Sequence, residues 1–209
     1  MFNLLNTLVE SNKKYGKEGK LAAYIPALLE ANPNDLGIYI VDTRGKEYFA
    51  GDYNKKFTIQ SISKVVSLIL AIKDNGRENV FKKVDVEEIL DLYFKQCSIE
   101  LDARDLARFG VVIANDGVLP WNGRKVIPKD VCRIVKSIMV TCGMYDASGE
   151  FAVNVGIPAK SGVGGGIVAA VPRQYGIGIY GPALDEKGNS IAGLKLIKDL
   201  SDELDLSIF

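Results

Sequence analysis

The chain has 209 residues, 47% of them hydrophobic and 25% charged, enough to bury the core of one soluble domain. Its 26 basic and 26 acidic side chains cancel, so no overall field favours nucleic acid or an anionic membrane, and a small substrate is expected. It contains no histidine, which excludes a Ser-His-Asp triad, a Cys-His dyad and any His-ligated metal.

The opening stretch, MFNLLNTLVESNKKYG, is amphipathic with early polar residues and is unlike a signal peptide, so a cytoplasmic protein is expected. It predicts a helix over 3–15, followed by a shorter one over 25–31 that stops at Asn32-Pro33. Residues 36–42 read as a strand, Thr43-Arg44-Gly45 as its turn and 46–50 as the hairpin partner. After Gly51-Asp52 an apolar helix runs from Ser61 to Asp74 and closes at Asn75-Gly76. Further helices are predicted over 86–95, over 103–115 with Asp102 as N-cap, and over 128–139. A glycine-rich stretch, Lys160-Ser-Gly-Val-Gly-Gly-Gly166, leads into strands over 167–171 and 175–180, and Asn189-Ser190 opens a terminal helix to Leu204. This order predicts an α+β domain with an antiparallel sheet flanked by helices, not a doubly wound one. The three cysteines (Cys97, Cys132, Cys142) form no CxxC pair and predict reduced, buried thiols rather than disulfides or a metal site.

Without histidine, a hydrolytic site must draw its base from lysine, tyrosine or a carboxylate. Ser61-Ile-Ser-Lys64 places a hydroxyl and an amine on one helical face. Ser61 would sit at a helix N-terminus, where main-chain amides stabilise an oxyanion, and the apolar neighbours Ile59, Ile62, Val65, Val66 and Leu68 would desolvate Lys64. Taken alone, Ser-x-x-Lys is a weak pattern. About one chance match is expected in a chain this long, and Ser11-Asn-Lys-Lys14 also fits. A surface serine with a solvated lysine is the plain alternative. Lys160-Ser161-Gly162 raises the odds, because it has the form of the Lys-Ser/Thr-Gly element of penicillin-interactive serine enzymes. Its glycines would let substrate lie against the backbone. Tyr145, in a polar loop, and Tyr93, on a predicted helix, could relay protons or bind a carboxylate, although an arbitrary tyrosine is more often a packing residue.

Several segments together resemble the glutaminase family: Phe57-Thr-Ile-Gln-Ser-Ile-Ser-Lys64, Tyr93-Phe-Lys-Gln-Cys-Ser98, Ala159-Lys-Ser-Gly-Val-Gly-Gly-Gly166, Leu21-Ala-Ala-Tyr-Ile-Pro26 and Leu184-Asp-Glu-Lys-Gly-Asn-Ser190. The resemblance implies a serine β-lactamase-like, penicillin-binding-like fold and cofactor-free hydrolysis of L-glutamine to L-glutamate and ammonia, by subunits that assemble into dimers or tetramers. It implies Ser61 as the acylated nucleophile, Lys64 as its base and Tyr145 as the phenol that moves protons. It also implies Tyr93 and Tyr24 as substrate ligands, Gln60 as a neighbour of the substrate, the amides of Ser61 and Val163 as oxyanion donors, and Lys160 as the family's strand lysine.

The chain departs from the family pattern in one place. The family carries a long segment before the helix that begins near Asp85, with an Asn-Ala-Gly-Ala-Ile motif and, further on, a glutamate and an asparagine that bind the substrate amino acid. Here Phe81-Lys-Lys-Val84 runs directly into Asp85-Val-Glu-Glu88. A single domain lacking that segment at the 84/85 junction, with a much reduced helical lobe, is therefore expected. Two alternatives stay open: another penicillin-interactive serine hydrolase, and a shortened inactive homologue that only associates with full-length subunits.

Overall fold

In a computed structural model of the chain, residues 1–80 and 95–209 are described. The helix expected over 86–95 and the 84/85 junction lie outside them, as does Tyr93. The centre is a five-stranded antiparallel sheet in the order β2-β1-β7-β6-β5: β1 Gly37–Asp42, β2 Glu47–Gly51, β5 Ala159–Ser161, β6 Gly166–Val171 and β7 Tyr175–Tyr180. A second ribbon pairs β3 (Phe57–Thr58) with β4 (Glu100–Leu101).

Alternation along each strand decides which face a side chain covers. On β1, Ile38 and Ile40 enter one core with Leu5, Leu8 and Val9 of α1 (Phe2–Asn12) and with Leu196 and Leu200 of the terminal helix, Ile191–Leu204. Tyr39 and Val41 point the other way, onto Ala103, Ala107 and Val111 of the helix Ala103–Ala114. On β6, Val168 and Ala170 join a second core with α2 (Ser63–Asn75) and the helix Lys129–Cys142. The result is helices, sheet, helices, as the element order predicted. In chain order the remaining helices are α3 (Arg77–Val80), α4 (Ala103–Ala114), α5 (Lys129–Cys142), α6 (Ser148–Asn154) and α7 (Ile191–Leu204).

Close approach of α4 requires glycines on β7. A Cβ added at Gly176 would lie 1.9 Å from the Val111 nitrogen, and one at Gly178 would lie 1.9 Å from the Ala103 oxygen. Asp102 caps α4 with a reciprocal box, its side chain accepting from the Asp105 N–H while the Asp105 carboxylate accepts from the Asp102 N–H.

Three expectations change. The helix at 25–31 is a 3-10 turn, Pro26–Glu30. The loop around Tyr145 is a 3-10 turn, Tyr145–Ala147, that feeds α6, whose short sequence Ser-Gly-Glu-Phe-Ala-Val-Asn carries little helical periodicity. Of the three cysteines, Cys97 and Cys132 are buried but Cys142, at the end of α5, is exposed, because its helix position faces away from the core. All three are unpaired.

Candidate active site

Ser61 is not the first residue of α2. It occupies a 3-10 turn, Gln60–Ile62, that runs into the helix, and the Ser63 N–H donates to the carbonyls of Gln60 and Ser61. Gln60 has φ +48°, a left-handed conformation that a side-chain-bearing residue adopts only when its surroundings hold it. Its amide donates to the Thr58 hydroxyl at 2.9 Å. On the far side the turn is tied to residues 96–99: Ile59 N–H donates to Ile99 O at 2.9 Å, and Ser67 Oγ to Gln96 Oε1 at 2.8 Å.

The glycine-rich stretch is the bend between β5 and β6, and it seats against this turn backbone to backbone. A Cβ at Gly164 would lie 2.4 Å from Thr58 O, and one at Gly162 would lie 2.9 Å from Ile59 O and 3.5 Å from Gln60 Cβ. Side chains at either position would push the Ser61 turn away, which gives these glycines a steric purpose. Val163, between them, has an N–H with no protein acceptor among the described residues.

From Val163 the contacts continue. Gly188, at φ +86°, touches both Val163 and Tyr145: a Cβ there would stand 3.5 Å from Val163 Cγ1 and 3.7 Å from Tyr145 Cε2. Tyr145 itself has φ +51°. Its turn is pinned by three bonds: Met144 N–H to Ser148 Oγ at 3.0 Å, Ser148 Oγ to Tyr145 O at 2.7 Å, and Asn189 Nδ2 to Met144 O at 3.3 Å. Lys160 Nζ lies 4.3 Å from the centroid of the Tyr145 ring and donates to the Ser161 carbonyl. Lys64, next to Ser61, is close enough to Lys160 for their charges to act on one another. The contacts thus link the Ser61 turn, Val163, Tyr145, Lys160 and Lys64 around one site.

Lys64 does not have the environment expected of it. Lys64 is exposed, because position 64 of α2 turns away from the core that takes Val65 and Ile69. Lys160 is the buried one, 7% exposed, and burial, reinforced by the charge of Lys64, pulls its pKa down to about 8. Desolvation, which the sequence assigned to Lys64, therefore acts on Lys160. Tyr24 is 71% exposed. Its neighbours Ala22 and Ala27 line a cavity of about 390 Å³ that also reaches Thr58, Val163 and Gly164.

Two contributors were not assigned from sequence. Asn189 is fully buried and bonds the Met144 carbonyl; its segment, Leu184-Asp-Glu-Lys-Gly-Asn-Ser190, was among the quoted motifs and carried that signal. Ser161 is also fully buried, and its hydroxyl has no hydrogen-bond partner among the described residues. A larger cleft, about 620 Å³, lies elsewhere among Asp116, Lys125, Lys129, Arg133, Lys136 and Arg173, and Asp116 there pairs with Lys129 and Lys136 at 3.1 Å each. None of the candidate residues lines it. No group of side chains suited to a metal ion occurs among the described residues, and no described helix is long and apolar enough to cross a membrane.

The glutaminase family model matches residues 19–88 and 83–209. Glutaminase 2 of Clostridium perfringens is 47% identical over an alignment of 305 residues that covers all of both chains. The glutaminase of Clostridium botulinum strain Loch Maree is 44% identical over the same length and coverage. Among solved structures, a probable glutaminase from Bacillus subtilis complexed with 6-diazo-5-oxo-L-norleucine superposes with a TM-score of 0.95 at 35% identity, covering 99% of this chain and 95% of that one. A covalent complex of a Bacillus subtilis glutaminase with 5-oxo-L-norleucine superposes with a TM-score of 0.94 at 35% identity, covering 100% and 99%.

Proposed function

The chain belongs to the glutaminase family, and from that premise we propose that it hydrolyses L-glutamine to L-glutamate and ammonia through an acyl-enzyme on Ser61. The observation that supports the reading is the seating of the Ser61 turn on the Gly162–Gly164 bend, the segment that contains Val163. Ser61 Oγ attacks the side-chain carboxamide carbon while Lys64 takes its proton. The oxyanion accepts hydrogen bonds from the amides of Ser61 and Val163, donors held in place before charge develops. Tyr145 passes a proton to the leaving nitrogen, ammonia departs, and a glutamyl ester remains on Ser61. Water then attacks the ester with its proton drawn off through Tyr145 and Lys64, releasing glutamate and restoring the serine. Gln60, Tyr24 and Tyr93 complete the substrate site in this reading, and Lys160, which the resemblance counts with them, stands against the Tyr145 ring. The architecture is of the serine β-lactamase and penicillin-binding type, and the enzyme is a cytoplasmic dimer or tetramer.

The same reading places a missing family segment at the 84/85 junction. Two facts support it: the family model matches in two stretches that meet at residues 83–88, and an alignment of 305 positions leaves 96 of them without a residue in a chain of 209. A site that must hold the charged amino and carboxyl ends of glutamine needs paired polar groups, and losing some of them weakens affinity before it abolishes acylation. A raised KM with a surviving nucleophile is the expected outcome. The test is to treat the purified chain with 6-diazo-5-oxo-L-norleucine and map the adduct by mass spectrometry. One adduct on Ser61, together with glutamine turnover, supports the assignment. A folded chain that takes no adduct and binds a full-length homologue would replace it with the non-enzymatic alternative.

A further inference from the structure

Lys160 is the only lysine buried among the described residues, and its strand neighbours Ala159 and Ser161 are buried with it. No described carboxylate forms an ion pair with it. Its replacements for lost water are the Ser161 carbonyl and the face of the Tyr145 ring, with the ring centroid 4.3 Å from Nζ, well inside the range in which a cation is drawn to an aromatic face. The charged or titratable groups facing it are Lys64 from α2, Cys142 from α5 and Tyr145 from its own turn. An apolar side chain would fill the same space without the cost of burying an amine, so the position calls for an explanation.

Tyr145 supplies one. The bonds from Ser148 and Asn189 fix the main chain on either side of it, but they do not touch the ring. Among the groups that meet the ring are Gly188 on one edge and Lys160 on its face. We propose that Lys160 is a positioning residue for the hydrolysis: its ammonium holds the Tyr145 ring in place and acts on the reaction through that phenol, not by contact with substrate. This rests on the role given to Tyr145 above.

The charge state is what matters for such a grip, because a neutral amine has little attraction for a ring face. With its proton affinity lowered by burial and by Lys64, Lys160 is an ammonium below about pH 8 and an amine above it. The turnover number should therefore fall as pH rises through about 8.

Lys160→Met and Lys160→Arg, compared with the parent for kcat, KM and pH dependence between 6 and 10, test this. Lys160→Met should lower kcat roughly 30- to 100-fold, leave KM within about threefold, and lose the limb near pH 8. Lys160→Arg, always charged, should keep more of kcat and also lack that limb. A tenfold rise in KM at unchanged kcat would make Lys160 a substrate ligand and overturn the proposal. A fall in kcat with the limb intact would make its role merely structural. NMR of carbon-13 tyrosine, with Tyr145 assigned through Tyr145→Phe, reads the same contact without turnover. The ring resonance should shift with a midpoint near pH 8 in the parent and not in Lys160→Met. A ring resonance that ignores pH in the parent overturns the proposal whatever the kinetics, whereas a parent with that shift but no Ser61 adduct and no turnover sinks only the glutaminase reading.

Discussion

The two sides of the site are packed differently. On the sheet side, β5 to β7 carry Lys160 and Val163, and α4 lies directly on the glycines of β7 with no side chain between them. On the helix side, Ser61 and Lys64 occupy the start of α2, whose inner residues Ile62, Val65, Ile69 and Ile72 are buried while Leu70 is 49% exposed and nearby Ile99 54% exposed. Val163 and Lys160 belong to a closely packed framework. Ser61 sits at the start of a helix packed along one face and located at its tip by the glycine bend. A hydrolytic site can tolerate that asymmetry because positions near the bend are set by backbone contact, while the rest of α2 only has to present the turn.

The sharpest test of the division is Ser61→Ala. It removes one hydroxyl from the less constrained side and should reduce glutamine turnover by at least about 10⁴-fold with the unfolding midpoint nearly unchanged. Retained turnover in a steady-state ammonia assay would end the nucleophile assignment. Gly178→Ala probes the framework itself. A methyl group placed 1.9 Å from Ala103 O must separate α4 from β7, and the expected loss is about 3 kcal/mol or more in a denaturant titration. A fully stable Gly178→Ala would mean that the sheet side yields as readily as the other.

Lys160→Met should move stability the opposite way. The folded pKa, about 8, lies below the ordinary lysine value, so the unfolded chain binds more protons between about pH 8 and 10.5. The parent should therefore gain stability as pH rises through that window. Below it the parent bears the whole penalty, on the order of 3 kcal/mol. Lys160→Met removes the penalty but also the ring and carbonyl contacts, so a gain of about 1–2 kcal/mol in thermal unfolding at pH 7 is expected. Stability that does not vary between pH 8 and 10.5 in the parent would contradict the burial of this lysine. The smallest effect belongs to Leu70→Gln on the outer face of α2, within about 0.5 kcal/mol of the parent. A large loss there would mean that the exposed face has a cover in solution, and the contrast between the two sides would fail.

Local chemistry made much of this legible in advance. Asp102 before an apolar-periodic run announced α4 and its cap, Asn189-Ser190 opened α7, the turn Thr43-Arg44-Gly45 marked β1 and its partner, and alternation marked β7. Ser-x-x-Lys followed by Lys-Ser-Gly pointed to Ser61, Lys64 and Lys160, because a histidine-free hydrolase has few other ways to build a base, whereas Val163 came only from the family resemblance. The two-residue ribbon of β3 and β4 was invisible, since its pairing spans more than forty residues and its strands are too short for a period. The helix α6 was invisible for a related reason: seven residues hold less than two full apolar repeats.

Sequence alone determined the class of chemistry and the order of the main elements and nominated the reacting side chains, because those follow from residue type and near-neighbour spacing. Only the tertiary structure decided which lysine is desolvated. Lys64 and Lys160 are both surrounded by apolar or small residues along the chain, yet one ends on the outer face of α2 and the other beneath a tyrosine ring. Burial is set by what packs across space, and the groups that meet Lys160 come from residues 64, 142 and 145, which no local pattern joins.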